Sequence, residues 1–265
     1  MKPVTLITGA SSGIGAELAR VFATHGHELV LVARRERELT ALADEIAGTG
    51  GKRPTVLVAD LGQRDAVSRI AAELRARGLE PANLVNNAGF GLAGPSALLD
   101  RDEQLAMIDL NVRALTELSL AFVDSLARHR GGILNVASIA AFLPGPGMAV
   151  YYASKAYVLS FSEALHGELS PRAVRVTALC PGPVMTGFQA RAGLRPGGIG
   201  GQGLLALPAR RVAEIGYDGF VRGKRVVIAG IGNRIAVFFT RLMPHAFLLP
   251  IVAGRMRPAR DAAKL

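Results

Sequence analysis

A lysine placed four residues after a tyrosine is the arrangement in this sequence best suited to proton transfer. The heptapeptide YYASKAY, residues 151–157, contains three tyrosines and one lysine. Residues four apart lie on the same face of a helix, so Tyr151 and Lys155 become neighbours while Tyr152 and Tyr157 point elsewhere. A nearby positive charge lowers the pKa of a phenol. The spacing therefore fits a tyrosine acting as a general acid, although a tyrosine packed along a lysine side chain is also ordinary on a helix surface.

The composition indicates one globular domain. The chain has 265 residues, of which half are hydrophobic and a fifth are charged, so it can bury one sizeable core. The single cysteine, Cys180, lies in the apolar stretch VRVTALCPG and is predicted to pack in that core. The apolar run at the N-terminus is too short for a signal peptide, and we expect a cytoplasmic protein.

The net charge of +10 comes mostly from arginine. A basic chain can bind nucleic acid, an anionic membrane or a phosphorylated ligand. The arginines are scattered over many predicted helices and turns, and aromatic residues are few, which argues against nucleic-acid binding. The histidines show no metal-ligand spacing, and no metal is predicted.

The elements that must position the tyrosine and lysine alternate between strand and helix. Apolar strand-like runs occur at VTLIT, ELVLVA, TVLVAD, NLVNNAG, GILNVAS, VRVTALC and RVVIAG, with amphipathic segments between them. We predict an α/β fold, a single-domain Rossmann-type doubly wound parallel sheet of about seven strands with helices on both faces, whose ligands bind at the carboxyl ends of the strands. Residues 1–230 form this dinucleotide-binding and catalytic domain, and the glycine-dense stretch from Gly193 to Leu205 is a lid candidate.

A glycine-rich turn follows the first strand. The sequence TGASSGIG places Gly9, Gly13 and Gly15 immediately before an amphipathic helix. Glycines let the backbone approach a pyrophosphate, and the helix N-terminus offers unpaired N–H groups to it. A glycine triplet can mark only a tight turn, but its place after the first strand favours dinucleotide binding.

The end of the second strand, LVLVARRERE, distinguishes between the two nicotinamide dinucleotides. An acidic residue after this strand would accept hydrogen bonds from a free ribose 2′-hydroxyl, whereas an arginine pairs with a 2′-phosphate. Ala33 and Arg34 occupy this place, which favours NADP(H). Alternatively, Arg34, Arg35 and Arg37 are solvated residues that open the next helix, an explanation that suits Arg37 better than Arg34.

Six motifs then occur in order: TGASSGIG, NNAG at residues 86–89, LNVRA with Asn111, NVASIA with Ser138, the pair Tyr151 and Lys155, and PGPVMT. With them the sequence resembles the short-chain dehydrogenase/reductase family over residues 1 to about 230. The resemblance implies an NADPH-dependent carbonyl reductase or alcohol dehydrogenase. An alternative is a catalytically idle NADP(H)-binding regulatory or scaffold protein.

The resemblance also implies roles for four catalytic residues. Tyr151 moves the proton, and Lys155 lowers the pKa of its phenol and holds the nicotinamide ribose. Ser138 hydrogen-bonds the substrate oxygen, although a serine at a strand end can equally cap the next turn. Asn111, a poor helix former inside a predicted helix, supports a water-linked proton path to the lysine.

The cofactor set implied by the resemblance extends around the predicted crevice. Asp60 and Leu61 lie near the adenine, though Asp60 can instead be the N-cap of the next helix. The predicted cofactor-binding residues are Gly9, Ser11, Ser12, Gly13, Ile14, Gly15, Arg34, Asp60, Leu61, Asn87, Ala88, Gly89, Tyr151, Lys155, Pro181, Gly182, Val184 and Thr186.

The substrate is expected to be a hydrophobic carbonyl compound or alcohol, because the predicted pocket walls are mainly apolar. These walls are Phe90, Ala140, Phe142, Met148, Val184, Met185 and Phe188. We also expect a homodimer or homotetramer.

The C-terminal extension, residues 231–265, is rich in large apolar residues and arginines. Charges and prolines interrupt it too often for a membrane span. It can close the substrate pocket, pack against another subunit, or lie on an anionic bilayer with Phe238, Phe239, Leu242 and Phe247 inward. We hypothesise that it borders a hydrophobic substrate site and gives the protein some membrane affinity.

Overall fold

A seven-stranded parallel sheet forms the centre of the computed structural model, which describes residues 1–194 and 205–255. The order across the sheet is β3-β2-β1-β4-β5-β6-β7. The strands are β1 Lys2–Thr8, β2 Leu29–Ala33, β3 Thr55–Val58, β4 Leu79–Asn86, β5 Gly132–Val136, β6 Arg175–Cys180 and β7 Val226–Ile228. From β1 the sheet extends to one side through β2 and β3, and to the other side through β4, β5, β6 and β7. This arrangement confirms the predicted doubly wound fold.

Helices cover both faces of the sheet. They are α1 Gly13–Thr24, α2 Glu36–Gly48, α3 Ala66–Ala76, α4 Arg101–Ile108, α5 Leu115–Ala121, α6 Val123–Arg128, α7 Ala149–Leu169, α8 Phe188–Ala192, α9 Ala209–Val221, α10 Ile231–Leu242 and α11 His245–Arg255. Apolar residues of α1, α2 and α9 pack on one face, and those of α3, α5, α6 and α7 pack on the other. A π-helical turn, Asp109–Ala114, joins α4 to α5.

The apolar patterns explain this layering. Every residue of β2, LVLVA, is buried, as expected for a strand covered by helices on both faces. In α1 the buried Leu18, Val21 and Phe22 recur at helical spacing and place one stripe on the sheet. Cys180, the last residue of β6, is fully buried, so its predicted core position is confirmed.

A threonine fixes the crevice where the strand order changes direction. Thr8, at the carboxyl end of β1, is buried beside the end of β4. Its Oγ1 accepts hydrogen bonds from the backbone N–H groups of Asn87, at 3.0 Å, and Ala88, at 3.1 Å, and donates to Val85 O at 3.2 Å. The loops after β1 and β4 are therefore held in fixed positions around the crevice.

The start of the C-terminal extension packs against the body. Asn233 and Val237 of α10 are buried, and Asn233 Nδ2 donates to Ala229 O at 2.7 Å and to Leu205 O at 3.0 Å. Leu248 of α11 is also buried. Of the described helices, none is both long and apolar enough to cross a bilayer. Most of the predicted lid, residues 195–204, lies outside the described residues.

Candidate active site

A cavity of about 760 Å³ opens at the carboxyl ends of the strands, and most of the predicted site residues line it. Its wall includes Gly9, Ser11, Ser12, Gly13, Ile14, Arg34, Asp60, Leu61, Asn87, Ala88, Gly89, Ser138, Tyr151, Lys155, Pro181, Gly182, Val184 and Thr186. Two predicted residues, Gly15 and Asn111, lie behind this wall. The structure thus brings the glycine turn and the tyrosine–lysine pair to one cavity.

Gly15 allows α1 to begin close to the end of β1. A Cβ added at Gly15 would lie 2.3 Å from Gly9 O and 2.3 Å from Asn87 Nδ2. Asn87 Nδ2 itself donates to Thr8 O at 3.0 Å and to Gly9 O at 3.1 Å. Gly9 has a φ of +65°, which favours glycine. The turn is therefore closed by contacts that leave no room for larger residues.

Two arginines, Arg34 and Arg35, line the cofactor end of the cavity. The first turn of α1 contains no acidic residue. Arg34 is exposed at the cavity wall, and its predicted contact with a 2′-phosphate stays a prediction. Arg35 Nη2 donates to Ser11 Oγ at 3.0 Å and to Ser12 Oγ at 2.8 Å, so it crosses from the end of β2 to the glycine turn. Sequence reasoning assigned Arg35 only to solvent, because the link depends on how the two loops meet. These donors suit a phosphate-bearing dinucleotide.

Asp60 shapes the turn after β3. Its Oδ1 accepts a hydrogen bond from Gly62 N at 3.0 Å. The N-cap of α3 is Asp65, so the alternative prediction of Asp60 as that cap is wrong. Asp60 and Leu61 both line the cavity near Arg34 and Arg35, where the sequence placed the adenine side of the cofactor.

Asn111 holds the loop after β4 from within the π-helical turn. It is 1% exposed, and its Oδ1 accepts from Phe90 N at 3.1 Å. Its Nδ2 donates to Phe90 O at 2.9 Å and to Ser154 Oγ at 3.1 Å. The side chain thus fixes the backbone of Phe90 on the wall of the cavity, and the predicted water-linked path to Lys155 stays a prediction.

Tyr151 is enclosed by apolar groups. Its ring centroid lies 5.3 Å from that of Phe188 and 6.1 Å from that of Tyr152. A Cβ at Gly91 would approach Tyr151 Cδ2 to 3.1 Å, so this glycine makes room for the phenol ring. Burial raises the pKa of Tyr151 to about 12, while its hydrogen bond with Ser138 acts in the opposite direction.

Lys155 faces the tyrosine but is engaged by the backbone. Its Nζ donates to Val136 O at 2.8 Å and lies 5.9 Å from the centre of the Tyr151 ring. Burial lowers the pKa of Lys155 to about 8. The expectation that Lys155 lowers the pKa of Tyr151 is wrong for this structure. Removal of water disfavours the phenolate of Tyr151 and the ammonium of Lys155 alike.

Ser138 fills the capping role that the sequence left open, and its hydrogen bond to a substrate oxygen stays a prediction. It is the N-cap of a short 3₁₀ helix, Ile139–Phe142, and its Oγ accepts from Ala140 N at 3.1 Å. It also hydrogen-bonds the Tyr151 hydroxyl. Capping the turn fixes the side chain that reaches the phenol.

The substrate half of the cavity is mostly, but not entirely, the predicted one. Phe90, Ala140, Met148, Val184 and Phe188 line it. Two predicted wall residues do not. Met185 is 65% exposed, and Phe142 packs against the core cluster that contains Leu115 and Val158. Their positions follow from short irregular turns, which residue type alone does not orient.

Several wall residues were not singled out from the sequence. Tyr152, expected to point elsewhere, also lines the cavity, and burial raises its pKa to about 12. Arg191 of α8 lies in the same wall. From the C-terminal extension come Thr240, Leu248 and Val252, as hypothesised for a segment bordering the substrate site. Within residues 1–194 and 205–255, no three His, Cys, Asp or Glu side chains are grouped as metal ligands would be.

Comparison with known proteins gives consistent matches. The sequence profile of the family described as "short chain dehydrogenase" matches residues 3–195. Sulfoacetaldehyde reductase 2 of Chromohalobacter salexigens is 40% identical over 193 residues, which cover 71% of this chain and 75% of that protein.

Two solved structures extend the similarity to nearly the whole chain. A short-chain dehydrogenase from Sphingobium yanoikuyae in complex with NADPH is 33% identical, with a TM-score of 0.80, and the match covers 99% of this chain and 100% of that one. The bulky-bulky ketone specific alcohol dehydrogenase from Comamonas testosteroni is 29% identical, with a TM-score of 0.74 over 99% of this chain and 97% of that one.

Proposed function

The chain belongs to the short-chain dehydrogenase/reductase family of oxidoreductases, and from that premise we propose that it is an NADPH-dependent carbonyl reductase. Its substrate is a hydrophobic ketone or aldehyde, or the corresponding secondary alcohol in the reverse direction. The proposal rests above all on one observation, the half-buried phenol of Tyr151 hydrogen-bonded to Ser138 in the same cavity as the glycine turn.

The protonated phenol of Tyr151 can act as the general acid of carbonyl reduction. With a pKa of about 12, the phenol keeps its proton at neutral pH and can donate it to the oxygen of a carbonyl as that oxygen gains negative charge. Ser138 adds a second hydrogen bond to the same oxygen, in the manner of an oxyanion site. When bound, NADPH supplies the hydride that the carbonyl carbon receives.

The Tyr151 role is tested by Tyr151→Phe, which removes the hydroxyl and keeps the ring. We expect NADPH oxidation with a panel of ketones and aldehydes to fall by about 10²- to 10⁴-fold, the usual contribution of a general acid, with NADPH affinity retained. Tyr157→Phe is the matched control, because Tyr157 is exposed and bonds Thr116 away from the cavity.

Equal turnover by wild type and Tyr151→Phe would sink the mechanism. A wild-type protein that binds NADPH but reduces no carbonyl compound would instead indicate the idle cofactor-binding protein that the sequence left as an alternative.

We assign the cofactor as NADP(H), since Arg34 and Arg35 follow β2 where an acidic residue would select NAD(H). The NADPH complex of the Sphingobium relative supports the same choice. Arg34→Ala should weaken NADPH binding by about 1.5–3 kcal/mol, as for a charge-assisted hydrogen bond, and should weaken NADH binding far less. Titration calorimetry measures both, with exposed Arg37→Ala as control. Equal weakening of both cofactors would contradict the assignment.

The partners of the protein follow from the same proposal. They are a small carbonyl or alcohol substrate and further copies of this chain in a homodimer or homotetramer. The C-terminal extension is proposed to contact anionic membranes. This proposal is supported by exposed apolar residues on α10, including Phe238, Phe239 and Leu242. A cytoplasmic location stays a prediction.

A further inference from the structure

Arg191 is the charged residue of the substrate half of the cavity. Of the described residues that line the cavity, five are charged. Arg34, Arg35 and Asp60 lie at the cofactor end, and Lys155 lies beside Tyr151. Arg191, an exposed residue of α8, contacts Phe90 in the wall, and a ligand in this half meets one cation and no anion of the described chain.

The position of Arg191 is fixed by the loop after β4. Its Cζ lies 4.5 Å from the centre of the Phe90 ring, a cation–π contact. Phe90 is buried and its backbone is held in both directions by Asn111. At the end of α8, Ala192 O accepts a hydrogen bond from Ala93 N at 2.8 Å. The side chain of Arg191 and the end of α8 are thus both held against the loop after β4, which positions the guanidinium as a binding group requires.

The guanidinium of Arg191 has no carboxylate partner among the described residues. Other arginines have such partners, Arg20 with Glu45 and Arg113 with Asp109, and the ion pairs of the described chain do not include Arg191. Stacking on a ring uses the face of the guanidinium and leaves its N–H groups for an acceptor in the plane. Those groups match the geometry of a carboxylate, sulfonate or phosphate.

The reacting phenol and Arg191 are connected through one short helix. Phe188, the first residue of α8, contacts the Tyr151 ring, and Arg191 lies three residues later on the same helix face. A ligand whose carbonyl meets Tyr151 therefore extends along α8 toward the guanidinium. The apolar residues Phe188, Leu143 and Leu194 line the same cavity and pack in the same cluster as Tyr151.

We infer that the substrate is an amphipathic carbonyl compound, with an apolar chain between the reacting carbonyl and a terminal oxoanion that Arg191 binds. This inference rests on the proposed reductase function and narrows its substrate class. A competing explanation is that Arg191 has only a structural role, in which its contact with Phe90 holds α8 in place. Loss of such a structural contact would lower kcat/KM for charged and neutral substrates alike.

The test compares matched substrates that differ in charge. They are ω-oxo carboxylic acids of graded chain length, their sulfonate and phosphate analogues, and their neutral methyl esters, with kcat and KM measured from NADPH oxidation. We expect wild type to prefer the anions over the ester. In Arg191→Gln the ratio of kcat/KM for acid over ester should fall about tenfold, mainly through KM, as for a lost charge-assisted pair. Arg191→Lys should restore part of the ratio.

Arg234→Gln is the control for general attraction of anions to this basic protein. Arg234 is exposed on α10 and does not line the cavity, so its loss should leave the ratio unchanged. Wild type that reduces esters as well as acids, or an Arg191→Gln variant that loses both equally, would overturn the inference and leave the reductase function standing. Absence of turnover with every carbonyl compound would overturn both.

Discussion

At the scale of single residues, burial sets the direction in which the pKa shifts for the two groups with which the sequence analysis began. The pKa of Tyr151 is raised to about 12 and that of Lys155 is lowered to about 8, each toward the neutral form. Helical spacing correctly placed the two side chains together. It did not give the direction of the phenol pKa, because spacing shows which charges are close and not how much water the fold removes.

The lowered pKa of Lys155 makes stability depend on pH. Between about pH 8 and 10.5 Lys155 binds a proton in the unfolded chain that it does not bind in the folded chain, so its contribution to the free energy of unfolding rises with pH in this window. The tyrosine phenol titrates in the unfolded chain near pH 10, so the measurement should stop there. From pH 7 to 10, the free energy of unfolding of wild type should rise by on the order of 2–3 kcal/mol relative to that of Lys155→Met.

Urea unfolding at several pH values measures this difference. Lys224→Met is the matched control, because Lys224 is exposed and should keep the wild-type pH dependence. A Lys155→Met variant that also keeps the wild-type dependence would show that Lys155 is not the titrating group.

Arg34 and Arg35 illustrate the same limit on the cofactor side. Their position after β2 was enough to predict a 2′-phosphate contact for Arg34. The hydrogen bonds of Arg35 to Ser11 and Ser12 join residues more than twenty positions apart, so they depend on the approach of two loops. Neighbours along the sequence did not indicate this contact.

At the scale of elements, apolar runs predicted the strands well and helical periodicity missed one irregularity. All seven strand-like runs overlap an observed strand, because buried parallel strands are nearly continuous apolar segments. The segment after Arg101, however, contains the π-helical turn Asp109–Ala114. One such turn barely changes an apolar pattern of period 3.6, yet it contributes the asparagine that holds Phe90.

The junction of β1 and α1 gives a prediction about glycine. In Gly15→Ala the new Cβ would lie 2.3 Å from Gly9 O, so the turn must shift. We expect a loss of about 1–3 kcal/mol of stability, as for overpacking, together with weaker NADPH binding. Gly167→Ala in α7 is the control, because its Cβ meets no atom within 4 Å, and it should add about 0.5–1 kcal/mol. Thermal unfolding and cofactor titration should separate the two, and equal behaviour would contradict the close-approach argument.

At the scale of the whole molecule, the alternation of strands and helices was sufficient to predict the sheet, but not what covers the cavity. The apolar tail suggested three uses without choosing one. In the structure the C-terminal extension has more than one use. Val237 and Leu248 are buried, and Thr240, Leu248 and Val252 line the cavity. Which residues are buried depends on the helix face that packs against the rest of the domain. A C-terminal extension that is apolar on most sides does not show from its sequence which face that is.

The remaining face of α10 is an exposed apolar stripe, consisting of Ile231, Ile235, Phe238, Phe239 and Leu242. Phe238 is 59% exposed, Phe239 56% and Leu242 67%. Deleting the chain after Gly232 would test this stripe poorly, because it also removes the buried Val237 and Leu248. Substituting exposed residues of the stripe keeps those contacts, so changes in binding can be attributed to the stripe itself.

The stripe and the net charge of +10 together predict binding to anionic bilayers, with the phenylalanines in the interface and basic residues near the headgroups. Wild type should sediment with phosphatidylserine-containing vesicles and less so at high salt. Phe238→Ser/Phe239→Ser should reduce the bound fraction at least about tenfold, since burying one phenylalanine contributes about 1.5–3 kcal/mol. Leu98→Ser/Leu105→Ser, at exposed sites elsewhere, is the matched control. A smaller oligomer in the phenylalanine variant, with vesicle binding unchanged, would instead show that the stripe joins subunits, because apolar surface of this extent is covered by some partner in most proteins.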